Sequence, residues 1–284
     1  MNNNPSIAGY ARILLLIIPY IIIVGIFQFI GMLIAKVDIE NFDVSILSSE
    51  QHLIISCFDL VGNFLLLCVF IKFIDKENFK AVGFNLSHRL KDIIVGIVLG
   101  LGIMGLAMLG LLFFSEIEIE TINYSGKDLV QILLIYIIVA LVEETLLRGY
   151  VLKNLMYSFN KYVALFVSSL LFAVMHIANP NIDELSFIGL FLAGILLGIS
   201  YIFTKNLWFP IALHFSWNFF QSLFGFNVSG QDIYSLIEFN ITEKNIINGG
   251  DFGFEGSIFS IIVQIILIVS IFIYYQRKHT YHEN

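Results

Sequence analysis

The stretch Leu129-Val-Gln-Ile-Leu-Leu-Ile-Tyr-Ile-Ile-Val-Ala-Leu-Val-Glu143-Glu144-Thr-Leu-Leu-Arg148 decides how this chain is read. A membrane-length apolar run meets two adjacent acids and then an arginine. A carboxylate at mid-bilayer costs at least ~2.5–3.5 kcal/mol on insertion scales. That cost is sustained where the acids have a task. The rest of the chain is therefore read as a scaffold that brings partners to Glu143 and Glu144.

The composition agrees. Of 284 residues, 58% are hydrophobic and 13% charged, against about a quarter charged in a soluble domain. The absence of a basic patch argues against nucleic acid as a partner. Cys57 and Cys68 lie in one apolar run and are expected to be buried small apolar residues, not a disulfide or metal pair.

Runs of about 17–25 apolar residues mark membrane-spanning helices. Eight are expected, at 11–35, 53–73, 92–114, 129–150, 162–178, 185–204, 207–225 and 257–275, with the fourth continuing to Tyr157. The first run is too long for a signal-peptide core of ~7–15 residues. The expected fold is all-α, a polytopic bundle forming a single membrane domain over 1–284, with its catalytic core at 129–222. Alternating the loops places twelve of the fifteen Lys and Arg on one side and leaves Lys36, Lys127 and Lys244 on the other. The positive-inside rule then puts both termini in the cytoplasm. Glycines at four-residue spacing in the third and sixth runs, Gly96 and Gly100 with Gly194 and Gly198, predict close helix packing.

Four polar clusters interrupt the apolar runs. Glu144 and Arg148 are one turn apart and can pair. Glu143 is rotated ~100° away and stays uncommitted. Phe172-x-x-x-His176 closes the fifth run. His214-x-x-x-Asn218 lies in the seventh, with Pro210 marking a helix start or kink. Asp59 and Asn63, near the outer face of the second run, are assigned a structural role.

Together the first three clusters supply the groups for activating water and holding an oxyanion. A carboxylate and an imidazole can share one water and remove its proton. An imidazole and an amide can donate to the oxygen that becomes negative. The same side chains, Glu143, His176 and His214, are also a candidate zinc set, so metal-activated and carboxylate-activated water both stay open. The chain has no His-Glu-x-x-His, no Gly-x-Ser-x-Gly in an apolar run and no membrane aspartate pair.

Glu143-Glu144-Thr-Leu-Leu-Arg148-Gly, Phe172-Ala-Val-Met-His176 and His214-Phe-Ser-Trp-Asn218 resemble, in order and spacing, the three motifs of the CAAX-protease and bacteriocin-processing family of intramembrane endopeptidases. That family includes the type II CAAX prenyl endopeptidases. Phe-Gly-Phe-Glu-Gly-Ser at 252–257 is similar to a stretch often seen before the last span. The resemblance implies that Glu143 and His176 activate water, that His214 and Asn218 hold the oxyanion, and that Glu144, Arg148 and Phe172 support them. It implies a peptide or membrane-protein substrate in the lipid bilayer, and leaves glutamate and zinc chemistry both represented. The composition points to a bacterial cell membrane, where leader peptides or bacteriocin precursors are open as substrates. The site is expected in an inner-half cavity reached from the cytoplasm. Two rival readings are a proton-coupled transporter, although no repeated halves are evident, and a non-catalytic bacteriocin self-immunity protein.

Overall fold

The computed structural model describes residues 7–283. Residues 1–6 and 284, which belong to the two ends assigned to the cytoplasm, lie outside it.

Polar residues at the loop junctions start the helices. Ser48 accepts from the Gln51 amide in a reciprocal cap that opens α2 (Ser49–Val69), satisfying amides that the first turn leaves without partners. Ser125 does the same for α4 (Gly126–Glu144), Asn160 for α6 (Lys161–Met175) and Asp183 for α7 (Glu184–Thr204). The bundle also contains α1 (Gly9–Ile34), α3 (Leu90–Phe113), α5 (Lys153–Ser158), α8 (Trp208–Leu223) and α9 (Ile258–Glu283). A π-helical segment, Thr145–Leu152, joins α4 to α5 without a break, and α2 ends in another, Phe70–Asp75.

The protein is an integral membrane helix bundle. Among the described residues, six helical bodies are long and apolar enough to cross a membrane. The expectation of eight spans is met only that far. The runs at 162–178 and 207–225 form helices of 15 and 16 residues, about 22 and 24 Å at 1.5 Å per residue, short of the ~30 Å hydrocarbon thickness. Composition counted residues that the backbone turns out of helix from His176 onward.

The body from Gly126 to Ser158 has 33 residues and is about 50 Å long, longer than the ~30 Å hydrocarbon thickness. This length sets the level of the site. Glu143 precedes the end of α5, and His176 follows the start of α6, by the same fifteen residues. Two antiparallel helices joined by a tight turn therefore carry these side chains to one depth.

The chain is not purely helical. Strands β1 (Ile117–Ile122) and β2 (Ile237–Ile241) pair antiparallel, with Ile117 opposite Ile241 and Ile122 opposite Ile237. They lie at the end of the bundle where α3 ends and α4 begins. This is the acid-rich end.

Small residues bring α3 and α8 together. A Cβ on Gly100 would lie 2.1 Å from Ser216 Oγ, and one on Gly96 would lie 2.8 Å from Ala212 Cβ. Gly102, Gly105 and Gly110 face open space, so only part of the glycine pattern serves packing. Cys57 and Cys68 are free and are exposed where burial was expected. A weakly polar thiol on the outside of a membrane bundle meets lipid, which suits a small hydrophobe. Asp59 accepts from Gln28 Nε2 at 2.7 Å and Asn63 Nδ2 at 3.2 Å, tying α1 to α2. At the opposite end of these helices, Arg12 pairs with Asp75 at 2.9 Å and bonds Asn154 Oδ1 at 3.2 Å.

Candidate active site

The two acids have different surroundings because successive side chains on a helix point about 100° apart. Glu144 is fully buried and Arg148 is 1% exposed. Arg148 Nη1 donates to Glu144 Oε1 at 2.7 Å, and Nη2 donates to the Gly194 carbonyl at 3.1 Å. The guanidinium also lies over the Phe172 ring, 4.8 Å from its centroid. Gly194 has no Cβ because one there would press on the Ser169 backbone at 2.7 Å. That close approach of α7 to α6 accompanies the carbonyl reached by Arg148. Directly after Glu144 the helix widens into its π segment, a deviation frequent at functional sites.

His214 Nδ1 lies 2.8 Å from the same Glu144 oxygen. A carboxylate accepts, so Nδ1 carries the proton of this bond. Pro210 sits in the first turn of α8, where its missing amide is harmless, and His214 and Asn218 follow one turn apart. Glu144 thus ties α4 to α8 and fixes the His214 ring, which leaves its Nε2 directed elsewhere.

Glu143 has no such commitment. Its Oε2 is buried and has no hydrogen-bond partner. His176 is the first residue past α6, and its Nδ1 lies 2.8 Å from the Phe172 carbonyl. A carbonyl only accepts, so Nδ1 holds a proton, and in the neutral ring Nε2 then presents its lone pair. Nε2 lies 3.9 Å from Glu143 Oε2, too far for a direct hydrogen bond. A water donating one proton to each group at ~2.8 Å would hold them about 4–4.5 Å apart. The observed gap is just short of that span, so a small opening of the pair admits such a water.

The Phe172 ring centroid is 4.6 Å from that of His176 and 6.2 Å from that of His214. Glu143, Phe172, His176, His214 and Asn218 border one cavity of about 280 Å³. Glu144 and Arg148 stand behind its wall. The structure therefore brings together all the side chains singled out in the three motifs. Asp59 is not among the residues lining that cavity.

A metal set is less well formed. Among the described residues, no group of three His, Cys, Asp or Glu side chains is gathered as metal ligands. Glu143 and His176 make only a pair. The residues present do not fit the three-ligand zinc arrangement considered for Glu143, His176 and His214.

The cavity also corrects the expected side of access. Asn179, Ser229, Gln231 and Glu255 border it, and these belong to loops at the acid-rich, β1–β2 end. The expectation from the sequence is an inner-half, cytoplasm-facing cavity. The shortness of α6 places His176 where its chain turns back toward the other end.

Glu255 is a site residue that the sequence reading does not single out. It lies in a short turn, Phe254–Gly256, and is 8% exposed. Its Oε2 accepts from both the amide and the hydroxyl of Ser229, each at 2.9 Å. Burial pushes its carboxyl above the usual range, opposed by the Ser229 bonds and the nearby histidines. The only sequence signal is the Phe-Gly-Phe-Glu-Gly-Ser stretch, since nothing in local spacing links residue 255 to residue 176.

A search among curated proteins finds no match to the chain. Residues 125–220, which contain all three motifs, match the family model for the type II CAAX prenyl endopeptidases described as Rce1-like, so this third of the chain carries the Rce1-like signature.

Proposed function

We propose that the protein is an intramembrane endopeptidase that hydrolyses a peptide bond by activated water. The observation that carries this reading is the open pair of Glu143 Oε2 and His176 Nε2, 3.9 Å apart in a cavity within the bundle.

Water donates its protons to Glu143 and His176, and one of them takes a proton as the oxygen attacks the substrate carbonyl carbon. The carbonyl oxygen becomes negative. It receives hydrogen bonds from Asn218 Nδ2 and from His214 Nε2. For His214 this role requires the imidazolium form, with Nδ1–H on Glu144 and Nε2–H on the oxyanion. The proton taken from water then passes to the leaving amine as the C–N bond breaks, giving a carboxylic acid and an amine, between which the remaining proton is exchanged. Arg148 and Glu144 hold the ring of His214, and Phe172 packs against both imidazoles. No step requires a metal.

The substrate is a membrane-borne peptide reaching the cavity from the acid-rich end, and the chain resides in a bacterial membrane. A peptide-release assay in detergent tests the reading. Wild type should release product, and Glu143→Gln should release it about 10²–10⁴-fold more slowly while inserting and purifying normally. Equal turnover by both proteins would overturn the assignment.

A further inference from the structure

The cavity holds a second carboxylate that the hydrolytic scheme does not use. Buried carboxylates are normally paired with a cation or protonated. Glu144 has Arg148, and Asp75 has Arg12. Glu255 is nearly buried and has only the neutral donors of Ser229, both on Oε2. Its Oε1 has no donor among the described residues. No Lys or Arg borders the cavity, whereas Glu143 and Glu255 both do. The cavity is thus lined by acids and histidines, with no Lys or Arg among its lining residues.

Glu255 is also held firmly. The Ser229 carbonyl accepts from Asn179 Nδ2 at 3.1 Å, and the Gly230 amide donates to the Phe252 carbonyl at 2.9 Å. Asn179 is three residues past His176, and its amide donates to the His176 carbonyl at 3.0 Å. One set of bonds therefore fixes the Glu255 carboxylate relative to the turn that carries His176. A rigid buried carboxyl at a set position in the cavity, with no Lys or Arg beside it, ionises most favourably when a cationic group of a ligand reaches it.

We propose that Glu255 is a specificity-determining residue that receives a positively charged group of the peptide, an ammonium or guanidinium, beside the scissile bond. The proposal rests on the endopeptidase reading for the cleavage step, but binding itself can be measured without cleavage.

The test uses the full chain in detergent and fluorescent ten-residue Leu/Ala peptides carrying one central Lys, acetyl-lysine or norleucine. Each is prepared with a free and with an acetylated N-terminus. Wild type should bind the Lys peptide about tenfold or more tighter than the acetyl-lysine or norleucine peptides, a span in keeping with removal of one partner of a buried charge pair. That comparison needs no variant. Glu255→Gln should bring the ratio near one, and Glu255→Asp should retain part of it. If only the free N-terminus matters, the cation recognised is the α-amine instead of a side chain. Equal affinity for all peptides in wild type, or an undiminished preference in Glu255→Gln, would overturn the proposal. Lys-selective binding without any product release would leave Glu255 as assigned and count against the endopeptidase reading alone.

Discussion

Replacing Arg148 by Met should destabilise the protein severely, and the size comes from its surroundings. Arg148 and Glu144 are 1% and 0% exposed, with a 2.7 Å bond between them. Removing one partner of a buried ion pair costs about 3–5 kcal/mol, because the other charge is left in a poorly solvating interior. The Gly194 carbonyl loses its donor as well, a further ~1 kcal/mol. A loss of ~4 kcal/mol changes the folded-to-unfolded ratio by about a thousandfold. Glu144→Gln should be costly for the mirror-image reason, since it leaves a buried guanidinium. The double variant, with Met at 148 and Gln at 144, removes both charges. Its loss should fall short of the sum of the single losses by about 2–3 kcal/mol, as expected for directly coupled sites. SDS titration in mild detergent, followed by the fluorescence of Trp217 and Trp208, provides the measurement. If the single losses simply add, Glu144 and Arg148 are not a coupled pair, and the account of what fixes His214 is wrong.

Other outcomes rest on the same geometry. Asn218→Ala should lower kcat by about 10²–10³ with little change in KM, because its amide is assigned to the transition state; a pure KM effect would reassign it to substrate binding. Gly100→Val should fail to accumulate as folded protein, since its Cβ would meet Ser216 Oγ at 2.1 Å, whereas Gly105→Val, with nothing within 4 Å, should be tolerated. Size-exclusion profiles of the two variants decide this, and matching profiles would refute the close α3–α8 contact. Prolonged dialysis against a chelator should leave peptide release unchanged, because no trio of ligands is formed among the described residues; loss of activity restored by zinc would show that the site rearranges around a metal.

Much of this site is readable in one dimension because its parts are local. A spacing of four places Glu144 with Arg148, Phe172 with His176, and His214 with Asn218 on shared helix faces. The ring contact of Phe172 with His176 and the Glu144–Arg148 pair come directly from that spacing. The bond from Glu144 to His214 spans 70 residues and has no local signal. Neither does Glu255, whose partners come from a distant loop. The two strands do leave a trace. Ile117-Glu-Ile-Glu120, before the register shift that follows Ile119, and Ile237-Glu-Phe-Asn-Ile241 alternate apolar and polar residues at period two, the pattern of a strand with one packed face. Each segment is short and sits between membrane-length runs, so it reads as loop until its distant partner is known. The side of access departs from expectation for a physical reason. Apolar composition does not say where a helix stops, and α6 stops at Met175.

The central claim is that Glu143 and His176 act as one unit on one water, and a double-variant cycle on peptide release tests it most directly. Each single change, Glu143→Gln or His176→Ala, should lower kcat by about 10²–10⁴. Groups that share one task are strongly non-additive, so the double variant should be scarcely slower than the worse single one. Losses that multiply would show two independent contributions, and wild-type turnover in either single variant would remove that residue from the reaction.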